Sequence, residues 1–194
     1  HERSYELKVQ LVRAALEAIE AIRAVCPTAR IVHPDPVINV VANPNRPEDA
    51  QAAEGHRLAH YQSWDMISGR HWPLLGGCDE YLDIVGVNYY DHNQWLHNGP
   101  FLEPDHPLYR PFSEILLEVY NRYHRPIFIA ETGLEGELRP WWLNHICNEV
   151  RTAMNMGVPI EGICLYPICD YPGWDDERHC ESGMWGYAQE CGSR

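Results

Sequence analysis

The pattern of apolar and polar positions alternates between two kinds of segment. Four segments carry apolar residues at helical spacing with charged residues between them, and they predict helices at about 5–25, 48–68, 111–124 and 139–156. Four short, nearly continuous apolar runs predict buried strands at 29–33, 81–90, 126–131 and 161–168. Because helices and strands alternate, the pattern predicts an α/β fold with parallel strands joined by crossover helices.

Two architectures fit this alternation: an open doubly wound sheet, or part of a (β/α)₈ barrel. The segments after the predicted strands are long and rich in His, Asn, Tyr, Trp, Asp and Glu, whereas those before them are short. A barrel builds its active site from the segments that follow its strands. No strand is followed by GxGxxG or a P-loop motif, which disfavours a nucleotide-binding open sheet. We therefore expect one barrel-type unit over residues 1–194.

Composition and charge argue against two classes of binding partner. The formal net charge is −13 and no basic run occurs, so neither nucleic acid nor an anionic membrane is an expected partner. No stretch is long and apolar enough to span a bilayer, and no signal-peptide pattern occurs at the start. The seven cysteines are an odd number, which is typical of mostly reduced thiols in a chain of this length. We expect a cytoplasmic protein without a cofactor.

An ionisable side chain follows the apolar run "PIFIA" directly. Glu131 stands where the predicted strand should emerge, and Thr132 and Gly133 come next. One interpretation is a catalytic carboxylate at the carboxyl end of a barrel strand. The other is a structural carboxylate that caps the next helix or pairs with an arginine, and position alone does not decide between them.

Two quoted segments carry a resemblance to a known family. "DIVGVNYYDHNQW" (83–95) and "PIFIAETG" (126–133), separated by one helix, resemble strands six and seven of the retaining β-glycosidases with (β/α)₈ barrels, most closely glycoside hydrolase family 1. "ARIVHPDPVINVVA" (29–42) is similar to strand five and "GICLYPICDYPGWDD" (162–176) to strand eight. The resemblance spans about residues 5–187 and implies half of a TIM barrel, strands five to eight.

The resemblance also implies roles for single residues. Glu131 matches the nucleophile, which forms a glycosyl-enzyme intermediate that water then hydrolyses. Tyr90 matches the tyrosine that hydrogen-bonds the nucleophile, and Asn88 a polar residue facing the sugar. Tyr166 stands where the family usually has a tryptophan beneath the sugar, and Trp174 matches an aromatic residue of the following loop.

Other polar residues near the predicted strand ends have two interpretations. His33 and His92 could line a sugar pocket or be ordinary polar residues of a loop. The family's acidic sugar-binding motif is represented by a group of carboxylates that could accept sugar hydroxyl groups, namely Asp170, Asp175, Asp176 and Glu177. Such carboxylates would repel a phosphate, so a neutral β-glycoside is expected as substrate.

The second carboxyl group of a retaining glycosidase has no match. The mechanism needs an acid about 5–5.5 Å from the nucleophile, which this family carries in an Asn-Glu-Pro motif after strand four. The chain has no such motif, and Glu2 and Glu6 follow no strand. A whole barrel typically takes about 250 residues. We therefore expect the acid from a partner polypeptide with strands one to four, in a heterodimer or a higher oligomer.

Alternatives to this assembly stay open. Two copies of the chain could cover each other as a homodimer of half barrels, or the chain could be a remnant of a longer glycosidase. The activity expected of a completed barrel is that of a β-glucosidase or β-galactosidase. The alternative is a non-catalytic carbohydrate-binding or scaffold half barrel that keeps Glu131 by descent.

Two groups of residues have the types that bind metal ions. His56 and His60 are spaced i, i+4 on a predicted helix, without HExxH and without a clear third ligand. Cys169, His179, Cys180 and Cys191 cluster in the tail, at spacings that match no short CxxC knuckle. We expect structural roles and ordinary thiols, and no metal site.

Overall fold

The computed structural model describes residues 3–174, 176 and 178–187. Its helices are α1 (Ser4–Val25), α2 (Ala50–Leu58), α3 (Gln62–Ile67), α4 (Phe112–Tyr123) and α5 (Arg139–Asn155). Its strands are β1 (Val32–Pro36), β2 (Asn39–Val41), β3 (Ile84–Asn88), β4 (Gln94–Leu96), β5 (Ile127–Thr132), β6 (Ile160–Leu165), β7 (Tyr171–Pro172) and β8 (His179–Cys180). The predicted alternation of helices and strands is therefore present.

Strands β1, β3, β5 and β6 form one parallel sheet in that spatial order. The order follows the order along the chain, without the reversal that defines a doubly wound sheet. Because crossovers between parallel strands are right-handed, a sheet that grows in one direction receives its helices on one face. The predicted parallel sheet is confirmed, and its strand order within the described residues shows no doubly wound reversal.

The two faces of this sheet differ in burial. On the helix-covered face, Val85, Val87 and Ile129 are at most 1 % exposed. They belong to a core that includes inner residues of four helices, among them Leu16, Ile19, Trp64, Leu116, Val119, Ile146 and Val150. On the other face, Val32 is 37 % exposed. That second face is only partly covered within the described residues.

The first strand lies further along the chain than the predicted range 29–33. Strand β1 pairs with β3 from Val32 opposite Ile84 to Pro36 opposite Asn88. Two prolines fit here because β1 is an outer strand of the sheet, where a missing N–H group breaks no ladder on the free side. The position of His33 changes in consequence, because it is the second residue of β1 and not its last.

Further differences from the predicted elements concern the long connections. The single helix predicted at 48–68 is divided into α2 and α3 by a 3-10 turn at Ala59–Tyr61. The segments after β1 and β3 contain a second parallel pair, β2 with β4, which the periodicity did not predict. The tail contains a short antiparallel pair, β7 with β8.

None of the helices in the described chain combines the length and apolar character that crossing a bilayer requires.

Candidate active site

Glu131 is oriented by a bulge in β5. Ala130 and Glu131 together lie opposite the single residue Cys164 of β6. A bulge of this kind changes the direction of the side chains that follow it. As a result, Glu131 is half-buried at the carboxyl end of the sheet, whereas the next residue, Thr132, is fully buried.

Tyr90 and Glu131 meet across neighbouring strands, as the sequence led us to expect. The Tyr90 hydroxyl group donates a hydrogen bond of 3.0 Å to Oε2 of Glu131. Burial, together with the hydrogen-bonded carboxylate, raises the pKa of Tyr90 well above its ordinary value. The phenol is therefore a stable proton donor to this carboxylate at neutral pH.

Thr132, the last residue of β5, and Gly133, the residue after it, fix the end of this strand against neighbouring segments. Thr132 Oγ1 accepts a hydrogen bond of 2.9 Å from the indole N–H of Trp142 on α5. A methyl group on Gly133 would come within 2.1 Å of the Tyr166 carbonyl oxygen. Glycine is needed here because the chain leaving β6 passes directly against it.

The segment after β3 is held by a buried amide that sequence reasoning missed. Asn93 is 6 % exposed, and its Oδ1 accepts a hydrogen bond of 3.1 Å from the backbone N–H of Tyr90. Its Nδ2 donates to the carbonyl oxygen of Val37 at 2.7 Å. Asn93 thereby ties the backbone beside Tyr90 to the segment after β1. Its place in the polar run "DHNQW" was the available signal.

The two tyrosines of "NYY" have different environments. Tyr89 is buried, with its ring stacked on Phe112 at 4.0 Å between centroids. Its hydroxyl group accepts a hydrogen bond of 2.8 Å from Nε2 of the fully buried Gln94. Tyr89 therefore anchors the segment in the core, which leaves Tyr90 to face Glu131.

A cavity of about 340 Å³ lies at this end of the sheet. It is lined by Tyr90, Asp91, His92, Gly133, Leu134, Glu135, Tyr166, Pro167, Tyr171 and Ser182. Of the residues expected to contact the sugar, Tyr166 and His92 are therefore at the cavity. The rings of Tyr166 and Tyr171 lie 6.1 Å apart and give it an aromatic wall.

Asn88 ends β3 and pairs in register with Glu131. Its Oδ1 atom is buried and has no hydrogen-bond partner within the described residues. Asn88 is not among the described residues that line the cavity.

Two of the expected sugar contacts lie elsewhere. His33 pairs with the buried Val85 near the start of the strands, and burial lowers its pKa. Its neighbour on the same face, Asp35, contacts Ser63 of α3, so His33 belongs to the helix-covered side. Trp174 is 88 % exposed and is not among the described residues that line the cavity.

Neither carboxylate lining the cavity has the environment of a general acid. Asp91 contacts Nδ1 of His92 at 3.0 Å, and this hydrogen bond lowers the pKa of Asp91. Glu135 forms a two-point ion pair with Arg178, which lowers its pKa as well. A glycosidase acid needs a raised pKa, so both groups are unsuited to that role.

The acidic residues of the tail serve local structure where they are described. Asp170 is 6 % exposed at its side chain, accepts a hydrogen bond of 2.7 Å from Gly183 N and pairs with Arg139 at 3.7 Å. Asp176 accepts a hydrogen bond of 3.0 Å from Arg178 N. Asp175 and Glu177 lie outside the described residues.

The expected metal-type clusters have other contacts. His60 Nδ1 accepts a hydrogen bond of 3.3 Å from Ile38 N, and the ring of His56 lies 5.5 Å from that of Trp95. In residues 3–174, 176 and 178–187, no three His, Cys, Asp or Glu side chains are arranged to hold a metal ion. Cys191 lies outside that range.

Known proteins resemble this chain in structure. Neither a family model nor a curated protein matches the sequence. A β-glucosidase from Thermotoga maritima in complex with glucoimidazole superposes with a TM-score of 0.72 at 20 % identity, over 91 % of this chain and 50 % of that one. For the hyperthermophilic β-glucosidase of Pyrococcus furiosus the TM-score is 0.69 at 18 % identity, over 95 % and 43 %.

The β-glycosidase of Thermosphaera aggregans gives a TM-score of 0.66 at 18 % identity, over 90 % of this chain and 42 % of that one. This chain thus spans half or less of the length of each of the three enzymes. The described chain therefore shares the α/β fold of one part of these β-glycosidases.

Proposed function

We propose that this chain is a subunit of a retaining β-glycosidase, of β-glucosidase or β-galactosidase type, in which Glu131 is the nucleophile and Tyr90 positions it. In this proposal the four-stranded sheet corresponds to strands five to eight of a (β/α)₈ barrel. The observation that carries the proposal is the 3.0 Å hydrogen bond between Tyr90 and Glu131 at the carboxyl end of a parallel sheet. Barrel enzymes hold their catalytic groups at that end.

The chemistry follows from this pair. A Glu131 oxygen attacks the anomeric carbon, the bond from that carbon to the leaving oxygen breaks, and a glycosyl ester forms. Water then cleaves the ester and restores the carboxylate. The Tyr90 phenol holds one oxygen of Glu131 through its hydrogen bond while the other oxygen reacts.

The acid comes from a second polypeptide in this proposal. The carboxylates beside the cavity, Asp91 and Glu135, are held ionised by His92 and Arg178. The outer strands β1 and β6 each pair on one side only within the described residues. A polypeptide with strands one to four would pair with both and bring a glutamic acid to the cavity, in a heterodimer.

A non-catalytic carbohydrate-binding half barrel is the second candidate. The lack of a suitable acid at the described cavity favours it. It differs from the first candidate in one measurable property, because only the enzyme forms a covalent bond between Glu131 and a sugar.

A glycoside with an activated leaving group tests whether Glu131 forms a covalent bond to a sugar in the absence of the second polypeptide. Dinitrophenolate leaves without protonation, so 2,4-dinitrophenyl 2-deoxy-2-fluoro-β-glucoside and its galacto isomer need only the nucleophile. We expect intact-protein mass spectrometry to show one glycosyl adduct, and peptide mapping to place it on Glu131. Glu131→Gln should abolish the adduct.

The matched control is Glu161→Gln, which removes a carboxylate paired with Arg30 near the start of β6. It should label like the wild type. A chain that binds either glycoside without an adduct would show the second candidate to be correct. An adduct on another residue would overturn the assignment of Glu131 as the nucleophile.

A further inference from the structure

A second cavity, here called the side groove, lies next to the one described above. It has a volume of about 170 Å³ and shares Asp91, Leu134 and Glu135 with the cavity that Tyr90 lines. All its lining residues come from the segment after β3 or from the segment that leads from β5 into α5, so both of its sides belong to the described chain. Besides the three shared residues they are Glu103, Pro104, Tyr109, Leu138, Trp141 and Trp142.

Trp141 gives the side groove an exposed aromatic surface. It is 48 % exposed, although it is the third residue of α5. Its ring is stacked on the ring of His145, one turn further along the helix, with 5.4 Å between centroids and 2° between planes. The indole is therefore held in one orientation before a ligand arrives, which lowers the conformational entropy that binding costs.

Carboxylates line the same groove. Asp91 contacts His92, and Glu135 is paired with Arg178. Glu103 is exposed. Within the part of the chain that the structure describes, no lysine or arginine lines the side groove. A phosphorylated or otherwise anionic ligand is therefore disfavoured there.

The combination of an open indole and hydroxyl acceptors matches the chemistry of a neutral sugar ring. A pyranose has C–H groups on its faces and hydroxyl groups around its edge. Its C–H face packs on an indole, and its hydroxyl groups donate hydrogen bonds to carboxylates. A purely apolar ligand would leave the carboxylate side of the groove without a partner.

From these observations, and resting on the proposed function of the neighbouring cavity, we infer that the side groove is a second sugar-binding site. It holds one neutral ring of an oligosaccharide whose other end reaches the cavity that Tyr90 lines. The ring packs on Trp141 and donates a hydrogen bond to Glu103. The chain therefore prefers oligosaccharides to glycosides with a single ring.

Isothermal titration of the chain with sugars of increasing length tests this site. The ligands are β-1,3- and β-1,4-linked gluco- and galacto-oligosaccharides of one to four rings. We expect the affinity in at least one series to rise at least tenfold at the length that first reaches the side groove. Trp141→Ala should remove this rise, whereas Trp141→Phe, which keeps an aromatic ring, should retain most of it.

Two further variants make the test specific. The matched control is Trp72→Ala, at a tryptophan that is 42 % exposed but lies in the segment before β3, and it should keep the rise. Glu103→Ala removes the exposed carboxylate without changing α5, and it should reduce the rise at least threefold. Alanine is a good helix former, so Trp141→Ala should keep the circular dichroism spectrum of the chain.

Three results would overturn the inference. The first is an affinity that does not change with length in any series, which includes the case that no sugar binds. The second is a rise that persists in Trp141→Ala or is lost equally in Trp72→Ala. The third is tighter binding of tetramethylammonium than of the longest sugar, which would show that the groove takes organic cations.

The outcome is separable from that of the proposed function. If the rise with length depends on Trp141 but Glu131 is not glycosylated, the second sugar-binding site stands and the glycosidase assignment fails. If Glu131 is glycosylated and the affinity does not rise with length, the assignment stands and the side groove is not a sugar site.

Discussion

The hydroxyl group of Tyr90 donates a 3.0 Å hydrogen bond to Oε2 of Glu131, although the two residues are 41 positions apart. The contact depends on two features of the backbone. The bulge in β5 orients Glu131 at the carboxyl end of the sheet, and Asn93 Oδ1 accepts a hydrogen bond of 3.1 Å from the backbone N–H of Tyr90. The pair is therefore built by the sheet and its loops together.

Replacing Tyr90 by phenylalanine removes this hydrogen bond and leaves the ring in place. A hydrogen bond to a charged group contributes about 1.5–3 kcal/mol, so Tyr90→Phe should slow glycosylation of Glu131 by roughly 10- to 150-fold. The labelling rate with the dinitrophenyl fluoro-glycoside measures this. Tyr120→Phe, a change on α4, should label like the wild type, and an unchanged rate in Tyr90→Phe would remove Tyr90 from the proposed site.

Adding one methyl group at Gly133 should disturb the end of β5. The added carbon would lie 2.1 Å from the Tyr166 carbonyl oxygen, so the chain after β6 has to move. We expect Gly133→Ala to be destabilised by about 1–3 kcal/mol, as is typical of overpacking, and to lose Glu131 labelling. Urea unfolding measures the first effect and mass spectrometry the second.

The control for this change is Gly55→Ala on α2. Nothing lies within 4 Å of the added carbon there, so alanine should stabilise the helix or leave the chain unchanged. If Gly133→Ala unfolds at the same urea concentration as Gly55→Ala, the close approach of the two chain segments is not a real constraint.

The strand that carries Glu131 could be predicted because its local signals agree. The run at 126–131 is apolar, and the observed strand is Ile127–Thr132. The periodicity of helices α4 and α5 likewise placed them within one residue at each end. In these segments the apolar pattern of each element is enough to predict how that element packs in the fold.

Other features of the candidate site depend on contacts between residues distant in the sequence, so no local sequence pattern predicts them. Whether Tyr89 or Tyr90 faces the site depends on Gln94 and Phe112, which hold Tyr89 in the core. The wrong placement of His33 has a similar origin. The pairing of β1 with β3 extends through Pro34 and Pro36, whereas proline-rich sequence normally indicates the end of a strand.

A buried side-chain pair, Thr132 and Trp142, should fasten β5 to α5. Thr132→Val leaves the indole N–H of Trp142 without its acceptor at 2.9 Å, which costs about 1–3 kcal/mol. Trp142→Phe alone removes buried indole area. In the double variant the unsatisfied donor is absent, so we expect a loss smaller than the sum of the single losses.

Urea unfolding of the four proteins measures this coupling. Strict additivity would show that the hydrogen bond contributes nothing to the stability of the described fold. Glu131 labelling should fall in Thr132→Val as well, because the strand end that presents Glu131 is loosened.

A carboxylate on α4, Glu118, joins three elements. It accepts hydrogen bonds from Arg57 and Arg110, each at 2.6 Å, and from the Tyr61 hydroxyl group at 2.9 Å. Burial alone would raise the pKa of Glu118, but these hydrogen bonds outweigh it and lower the pKa to about 2.

The pH dependence of stability should therefore contain a contribution from Glu118. Because the folded chain holds this carboxylate ionised to a lower pH than the unfolded chain, the contribution is fully present above pH 4.5 and is lost as the pH falls toward about 2. Its size is on the order of 3 kcal/mol. Glu118→Gln should lower the free energy of unfolding at pH 7 and flatten its change between pH 5 and pH 2.

The matched control is Glu114→Gln, at an exposed position of the same helix, which should keep the wild-type slope. Equal slopes in wild type and Glu118→Gln would show that the three-way contact is not formed by an ionised carboxylate.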